Sequence, residues 1–441
     1  MRAKDRIASR VRTVRRAREA GRPDSDMIGG HEPRSLSCAA VLEPPRAPIL
    51  PTAMTHRFAR LLRSAFAVSV LALPIAACTP ASEAAGRRVA TGEIVTGIRQ
   101  VPIHVVSTRK LDAKGNVTGE VSQRPRYLVT GVGIPPGHRP GVIERPSMTT
   151  ESRNRHFTVL GQRAVEESDF FGEIATQLSG RVGVSRDVLV FVHGFNTGFD
   201  EARFRLAQVV TDSGFTGVPV LFTWPSRTQL LAYGSDKESA TASRDALETL
   251  IRSLSEVQGV GRVHVLAHSM GTWLAMEALR QNAIAGRADL GGRLGEIILA
   301  APDIDLDVFR AQMARLGRVT RVSVFAARDD RALSVSSAIA GSRTRLGALD
   351  LNDAKHREEI GKLGVRVYDL TAAEMQDYFR HGGYAEAPQV VRAIGSQLAE
   401  PKFEDRQAQG FVDDEAVKAA QAPAPTAVIS APLPAPEQPA R

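Results

Sequence analysis

The chain has 441 residues, a formal net charge of +9 at pH 7 and two cysteines, Cys38 and Cys78. Most of the positive charge lies at the start, because residues 1–77 contain 14 Lys and Arg against 6 Asp and Glu, a net of +8, which leaves +1 for the remaining 364 residues. The net positive charge therefore says little about the remaining 364 residues. Because the chain also has no recognisable nucleic-acid-binding motif, we predict no nucleic-acid partner. Two cysteines also exclude a disulfide framework, so the folded part must be held by its core, and 364 residues are ample for one large domain.

An export signal is predicted within the first part of the chain. Residues 54–63 are basic, and residues 64–77 are apolar but too short for a membrane span. The apolar run ends in LPIAA before Cys78, which resembles a bacterial lipoprotein signal. In that interpretation Cys78 receives lipid, such as palmitate, and becomes the N-terminus of the mature protein. An ordinary cleaved secretory signal and an uncleaved anchor are the alternatives.

Residues 1–53 are Arg-rich and lack hydrophobic periodicity. A signal peptide begins near the initiator, so we expect a misassigned start codon, with Met54 as the true one and a disordered extension before it. Residues 78–94 are then a tether. The chain is predicted to be lipid-anchored in a bacterial cell envelope, and because Thr79 supplies no acidic retention signal, the outer membrane or the periplasmic side is favoured.

The rest of the chain predicts one α/β fold. Residues 95–180 mix strands, such as 101–106 and 127–132, with Pro/Gly-rich loops, and we interpret them as an N-terminal extension of the main sheet; a small lid or docking domain is the alternative. Residues 181–400 alternate strands and helices, including an amphipathic stretch at 239–255, which predicts a mostly parallel sheet covered by helices on both faces. Residues 401–441 form a Pro/Ala-rich tail that we expect to be disordered.

Two apolar runs end in residues suited to chemistry. Residues 187–196 (DVLVFVHGFN) predict a strand buried on both faces that ends in His193 and Gly194. Residues 263–271 (VHVLAHSMG) predict a strand that turns sharply at Ser269 into a helix, which is the pattern of a nucleophile elbow. The strict pattern has glycine where this chain has Ala267, and the alternative is a strand that simply ends in a serine-containing turn.

These motifs resemble those of the α/β hydrolases of the esterase/lipase superfamily, in particular a poorly characterised bacterial group. The resemblance extends from about residue 96 to about residue 398. It rests on residues 191–196, 222–226, 267–271, 299–305 and 330–333, with earlier matches at 108–110 and 134–141. It implies an oxyanion hole formed by the backbone N–H groups of Phe195 and Met270, and a role for His193 in bracing its loop rather than as a base.

The order of catalytic groups in this fold is serine, then acid, then histidine. Residues 321–330 (RVSVFAARDD) predict a late strand that closes in acids, and Asp330 at its end matches the DRAL position of the family. Asp303, after the strand at 297–301, is the main rival, although Asp303 and Asp305 are also suited to capping the next helix. Asp329 is the neighbour that an error of one residue would substitute.

Two histidines follow the acid. His381 lies between a predicted last strand at 365–370 and a last helix at 388–398, where this fold holds its histidine, and glycines adjoin it. His356 lies in a charged run and is predicted to be a surface residue. His268 is predicted to be a structural neighbour of the nucleophile.

The residues together predict a serine hydrolase that acts on a small-molecule or lipid ester through an acyl-enzyme, with Ser269 as nucleophile, His381 as base and Asp330 as acid. No cofactor or metal is predicted, because His104, His138 and His156 lack ligand spacing and are expected to be ordinary surface or loop residues. An acyltransferase on the same triad and a non-catalytic envelope lipoprotein scaffold are the alternatives. The sequence leaves open the acyl and alcohol groups and the oligomeric state.

Overall fold

The computed structural model describes residues 88–89, 97–113, 117–146, 150–227, 229–317, 321–371, 373 and 377–400. The predicted extension at 1–53, the signal at 54–77, Cys78 and the tail at 401–441 lie outside these residues. Within the described ranges, no helix combines the length and the apolar character needed to cross a membrane.

A nine-stranded sheet forms the centre of the fold, with the strand order β11-β10-β9-β8-β6-β7-β2-β3-β5. Neighbouring strands are parallel from β11 to β2, and β3 is antiparallel to both β2 and β5. A parallel pair of two-residue strands, β1 and β4, lies outside it. The strands are β1 Arg88–Val89, β2 Arg99–Leu111, β3 Val117–Ile134, β4 Thr150–Glu151, β5 Thr158–Val165, β6 Val188–Val192, β7 Val218–Thr223, β8 Val263–His268, β9 Leu294–Ala300, β10 Arg321–Ala326 and β11 Arg366–Asp369.

Helices follow most of the parallel strands. The helices of the described residues are α1 Glu167–Leu178, α2 Phe199–Ser213, α3 Tyr233–Ala242, α4 Arg244–Glu256, α5 Met270–Ile284, α6 Leu306–Leu316, α7 Arg331–Ile339, α8 Ala354–Leu363, α9 Gly383–Glu386 and α10 Pro388–Ala399. Short 3₁₀ turns lie at Gly183–Arg186, Leu230–Ala232 and Leu346–Ala348.

The central strands of the sheet, β6 to β9, are buried on both faces, as β6 illustrates. Because side chains alternate along a strand, Val190 and Val192 pack in the cluster that contains apolar residues of α1, α4 and α5. Leu189 and Phe191 point the other way, into the cluster that contains residues of α2 and α10. A parallel sheet with helices on both faces requires such continuous apolar strands. The predicted α/β fold with a mostly parallel sheet is therefore confirmed.

The stretch at 239–255, predicted as one amphipathic segment, is divided between α3 and α4. The break falls at Ser243, which is fully buried. Its hydroxyl donates to the carbonyl of Ser239 at 2.8 Å and lies 2.8 Å from the hydroxyl of Thr108. A serine side chain that competes for helix carbonyls in this way bends or ends a helix.

The strands of the N-terminal region, β2, β3 and β5, lie in the same sheet as the strands that follow them. The last paired residues of β2 and β7 are Ser107 and Thr223. Since β2 continues to Leu111, its final residues extend past the carboxyl end of β7. The N-terminal region thus reaches the edge of the sheet where the carboxyl ends of β6, β7 and β8 meet.

Candidate active site

Ser269 occupies a sharp turn between β8 and α5. Its backbone has φ 53° and ψ −125°, a conformation that a residue with a side chain rarely adopts. The Ser269 N–H donates to the carbonyl of Ala300 at 3.0 Å, and Ser269 is 6% exposed. The strand, strained turn and helix reproduce the geometry that the sequence of residues 263–271 predicts.

Two glycines let the backbones approach each other around this turn. A Cβ at Gly271 would lie 2.2 Å from the carbonyl oxygen of His193, and a Cβ at Gly194 would lie 2.8 Å from the Cβ of Ser269. Neither gap admits a methyl group without movement of the backbone or of Ser269. Ala267, where the strict motif has glycine, is buried in the apolar cluster on one face of the sheet, which accommodates its methyl group.

Asp330 and His381 meet at the carboxyl edge of the sheet. Asp330 is fully buried and caps α7, where its Oδ1 accepts from the N–H of Leu333 at 2.9 Å. Its Oδ2 lies 2.6 Å from Nδ1 of His381. Because a carboxylate accepts, Nδ1 carries the proton and donates, which leaves the lone pair of the neutral ring on Nε2.

The electrostatic surroundings of His381 favour its charged form. Burial lowers the pKa of His381, but Asp330, with smaller contributions from Asp303 and Asp377, outweighs it, so that the pKa is raised above its ordinary value. The loop is held by Asp377, whose Oδ2 accepts from the N–H groups of His381 at 2.9 Å and Gly382 at 3.2 Å. The base proposed from the sequence is therefore both oriented and electrostatically supported.

His268 joins this loop to the elbow. Its Nε2–H donates to the carbonyl of His381 at 3.1 Å, and the two ring centroids are 4.7 Å apart. The ring of His268 also stacks on that of Tyr384, with the ring centroids 4.6 Å apart. Burial, followed by the nearby His381, lowers the pKa of His268 far below its ordinary value, so the ring is neutral. His381 consequently lies beside the residue that precedes Ser269, although no hydrogen bond joins Ser269 Oγ to His381 Nε2 within the described residues.

The rival acids are engaged elsewhere. Asp303 is buried and accepts from the hydroxyls of Tyr233 at 2.7 Å and Ser336 at 2.5 Å, and its Oδ1 lies 3.2 Å from Nε of Arg345. Asp329 pairs with Arg380 at 2.6 Å. Asp305 caps α6, as expected of one of the two acids at that position. The geometry favours Asp330 over these three carboxylates as the partner of His381.

Phe195 and Met270 lie on the two loops that flank Ser269. Met270 begins α5, so its N–H belongs to the first helical turn, whose N–H groups have no acceptor within the helix. Phe195 follows Gly194 in the loop after β6, and the next residue, Asn196, has a φ of 56°. Their assignment as oxyanion donors stays a prediction.

His193 is part of the support of this loop. The N–H of Trp224 donates to its Nε2 at 3.2 Å, so Nε2 is an acceptor, and Nδ1–H donates to the carbonyl of Gly194 at 2.9 Å. The indole N–H of Trp224 donates to the carbonyl of His193 at 2.9 Å, and the two rings are stacked. Burial, with a smaller contribution from Arg109, lowers the pKa of His193 to about 3. A neutral ring with both nitrogens occupied by the protein is suited to bracing and unsuited to proton transfer.

Four other histidines singled out from the sequence pack or bond elsewhere in the fold. His356 is half-buried in α8, where its Nδ1 accepts from the N–H of Asp350 at 3.2 Å. His138 lies in a loop between two carboxylates, and His156 accepts from the N–H of Ser152 at 3.0 Å. His104 corrects the expectation of a surface or loop position, since it is fully buried in β2 against Phe170. No cluster of His, Cys, Asp and Glu suited to a metal ion occurs in the ranges that the structure describes.

The sequence did not predict the hydrogen-bond partners of Asp303, nor the role of Asp377 in holding the loop that contains His381. The partners of Asp303 lie 70 residues before it and 33 and 42 after it, in Tyr233, Ser336 and Arg345, so no local pattern connects them. Asp377 could have been predicted, because an aspartate four residues before His381 can accept from the backbone N–H groups at the end of a turn, here those of His381 and Gly382.

The chain is similar, at low identity, to the solved structures of two esterases. A thermostable esterase from Pseudomonas putida ECU1011 is 13% identical, with a TM-score of 0.33, over 69% of this chain and 81% of that chain. Carboxyl esterase 2 from the mycorrhizal fungus Tuber melanosporum is 11% identical, with a TM-score of 0.33, over 76% and 97%. At these identities and TM-scores the likeness carries no argument about function.

A curated relative matches only a short part of the chain. An uncharacterized protein of Nostoc sp. is 37% identical over 60 residues, which are 14% of this chain and 16% of that protein. The family model described as alpha/beta hydrolase of unknown function (DUF900) matches residues 171–398, which is more than half of the chain. The chain therefore belongs to this family of α/β hydrolases.

Proposed function

We propose that this α/β hydrolase cleaves carboxylic esters through an acyl-enzyme on Ser269, with His381 as general base and Asp330 as the acid that orients it. The observation that carries the proposal is the 2.6 Å contact between Asp330 Oδ2 and His381 Nδ1, in a loop bonded to the residue before a strained serine. Esterase activity is proposed here from the chemistry of these groups.

The reaction has two halves. His381 Nε2 takes the proton of Ser269 as Oγ attacks the ester carbonyl, and the oxyanion of the tetrahedral intermediate accepts from the N–H groups of Phe195 and Met270. The intermediate collapses as the imidazolium gives its proton to the leaving alkoxide, which departs as the alcohol. Water, deprotonated by His381, then attacks the acyl-enzyme, and the second tetrahedral intermediate collapses as the imidazolium returns its proton to Ser269 Oγ, which releases the carboxylic acid. The contact between Ser269 Oγ and His381 forms in the substrate complex, because catalytic hydrogen bonds often tighten only there.

The surroundings of His381 support this role. A buried carboxylate beside Nδ1 stabilises the imidazolium that forms when Ser269 loses its proton, and it keeps Nε2 free to accept. The raised pKa of His381 makes the ring a stronger base.

Labelling of the purified protein with a fluorophosphonate, followed by peptide mapping, tests the proposal without a choice of substrate. We expect labelling at Ser269 that is lost in Ser269→Ala and His381→Ala. His356→Ala is the matched control, since His356 lies in α8 and its hydrogen bonds within the described residues are to Asp350, and it should label like the wild type. A folded wild-type protein that does not label would overturn the assignment and favour the scaffold alternative.

A series of p-nitrophenyl esters from acetate to palmitate then defines the acyl preference. Turnover of the preferred ester should fall by at least about 10⁴-fold in Ser269→Ala. A transferase on the same triad would turn over faster when an alcohol or amine acceptor is added, and the acceptor would appear in the product. Hydrolysis unaffected by acceptors is the expected result.

We also propose that Cys78 carries lipid and holds the enzyme at the bacterial cell envelope. The support is the sequence of residues 54–78, which lie outside the described structure. Metabolic labelling with an alkyne analogue of palmitate should mark the wild type and leave Cys78→Ser unmarked. A soluble, unlabelled wild-type protein in the periplasm would favour an ordinary cleaved signal instead.

A further inference from the structure

Arg109 lies in β2, two residues beyond the last pairing of that strand with β7. It belongs to the sequence Thr108-Arg109-Lys110, which the proposed mechanism does not use. Although β2 here passes the carboxyl end of β7, Arg109 is only 3% exposed. A buried guanidinium must be satisfied by hydrogen bonds, because its desolvation is otherwise too costly.

The guanidinium of Arg109 joins two loops of the site. Its Nε donates to Thr223 Oγ1 at 2.9 Å and its Nη1 donates to the carbonyl of Ser226 at 3.2 Å, both in the segment that ends β7. Its Nη2 donates to the carbonyl of Thr197 at 2.8 Å and lies 3.4 Å from Nε2 of His193, both in the loop after β6. That second loop contains Phe195, the proposed oxyanion donor.

This geometry depends on a planar group with several donors. The carbonyls of Thr197 and Ser226 belong to different loops, and one rigid fork fixes the distance between them. A lysine carries three donors on a single nitrogen and cannot reproduce a fork of fixed geometry. The loop after β6 also includes Asn196 at a φ of 56°, so its conformation must be imposed by neighbouring groups.

The positive charge of Arg109 also helps to keep the neighbouring His193 in its neutral form. Thr223 Oγ1, which accepts from Arg109, also lies 3.0 Å from Nε2 of His193. The positive charge disfavours protonation of His193, which keeps Nε2 as the acceptor for the N–H of Trp224. Asp236, fully buried, accepts from the hydroxyl of Ser226 at 2.9 Å and supplies negative charge nearby.

We propose that Arg109 is a positioning residue that sets the place of the Phe195 N–H in the oxyanion hole. The inference rests on the proposed hydrolase function. On this proposal β2 contributes a residue to the active site, although β2 lies outside residues 171–398, which the family model matches. A group that acts only through the oxyanion hole should affect the transition state more than the bound substrate.

Arg109→Lys keeps the charge and most of the volume, and Lys110→Met is the matched control. Lys110 is the next residue on the strand, is largely exposed and pairs with Glu120 at 2.8 Å, so its variant should match the wild type. Because loss of one oxyanion donor costs about 100-fold to 1000-fold in turnover, displacement of that donor by Arg109→Lys should lower kcat by roughly 10-fold to 100-fold and change KM by less than about 3-fold. Affinity for a boronic acid, which forms a tetrahedral adduct with the serine, should fall by the same factor as kcat/KM.

Two further measurements keep the outcome decisive. Thr223→Val removes the acceptor for Nε of Arg109 and leaves the guanidinium itself unchanged. It should lower kcat as Arg109→Lys does, but by a smaller factor. Added guanidinium ion at millimolar concentration should restore part of the kcat of Arg109→Ala and leave the wild type unchanged.

The results separate the two proposals. An inactive wild type that does not label at Ser269 refutes the hydrolase function, and this inference with it. An active wild type together with folded Arg109→Lys and Thr223→Val proteins whose kcat stays within 2-fold overturns the positioning role alone. A rise in KM with unchanged kcat has the same meaning, because it places Arg109 in substrate binding.

Discussion

Asp330→Asn is the substitution that tests the catalytic assignment most sharply. In the wild type, Oδ1 of Asp330 accepts from the N–H of Leu333 at 2.9 Å and Oδ2 faces Nδ1 of His381 at 2.6 Å. An asparagine that keeps the helix cap must place its side-chain carbonyl oxygen where Oδ1 of Asp330 lies, because only that oxygen can accept from the N–H of Leu333. Its NH₂ group then takes the place of Oδ2 and faces His381. Since NH₂ only donates, Nδ1 becomes an acceptor and the proton of the neutral ring moves to Nε2. The tautomer is then wrong for accepting the proton of Ser269.

A wrong tautomer with intact geometry costs a serine hydrolase about 10⁴-fold in kcat. That factor equals about 5.4 kcal/mol of transition-state stabilisation at about 1.36 kcal/mol per decade. The assay is single-turnover and steady-state hydrolysis of the preferred p-nitrophenyl ester, with thermal unfolding to show that the cap and the fold survive. KM should change little, because Asp330 is buried and does not reach the substrate.

Asp303→Asn is the matched comparison, since Asp303 is the other buried acid near His381. Its carboxylate already bonds to Tyr233, Ser336 and Arg345, so we expect kcat to fall by less than about 10-fold. If Asp303→Asn loses about 10⁴-fold and Asp330→Asn stays within 10-fold, the acid is Asp303 and the 2.6 Å contact of Asp330 with His381 is not catalytic.

Three further results are expected. The acidic limb of the pH profile of kcat/KM should have its midpoint above the ordinary histidine pKa, because Asp330 and its neighbours outweigh burial and raise the pKa of His381; a midpoint at or below the ordinary value would contradict this. His104→Leu should raise the free energy of unfolding at pH 7 by about 1–3 kcal/mol in urea titrations, since within the described residues neither ring nitrogen of the buried His104 has a hydrogen-bond partner. Burial lowers the pKa of His104 to about 4, so wild-type stability should fall by about 3 kcal/mol as the pH drops from 6.5 to 4, and the variant should lack this loss. His138, whose pKa Asp212 and Glu144 raise despite burial, should contribute stability that is complete below its ordinary pKa and is lost as the pH rises through the raised value; His138→Gln should therefore show a smaller decrease in melting temperature between pH 6 and pH 9.

The elements around the elbow could be predicted because each is encoded locally. The apolar pattern predicts a strand at 263–267 and a helix at 272–281 on either side of Ser269, and the strand and helix lie at Val263–His268 and Met270–Ile284. The position of His381 before the last helix followed in the same way from chain order. Boundaries were less accurate where a tertiary contact intervened, as at Ser243, where a buried hydroxyl divides a stretch that is continuous in pattern.

The polar support of the site could not be predicted, since its members are far apart in sequence. Arg109 meets the loops after β6 and β7 from a strand 84 to 117 residues earlier. Its burial follows from the pairing of β2 with β7, and that pairing is a property of the assembled sheet. A residue pattern records which side chains are apolar, but it does not record which carbonyls a distant guanidinium will reach.

The two ends of β8 show what separates a structural aspartate–histidine pair from one capable of chemistry. At the start of the strand, His264 is fully buried, its Nε2–H donates to Asp187 at 3.1 Å, and its Nδ1 accepts from the N–H of Glu296 at 2.9 Å. Both nitrogens are committed to the protein, so this ring has no lone pair to offer a substrate. At the other end, Asp330 engages Nδ1 of His381, and within the part of the chain that the structure describes no hydrogen bond occupies Nε2. The free nitrogen, beside a serine in a strained turn at the carboxyl edge of a parallel sheet, is what makes the second pair the site of catalysis in the mechanism proposed.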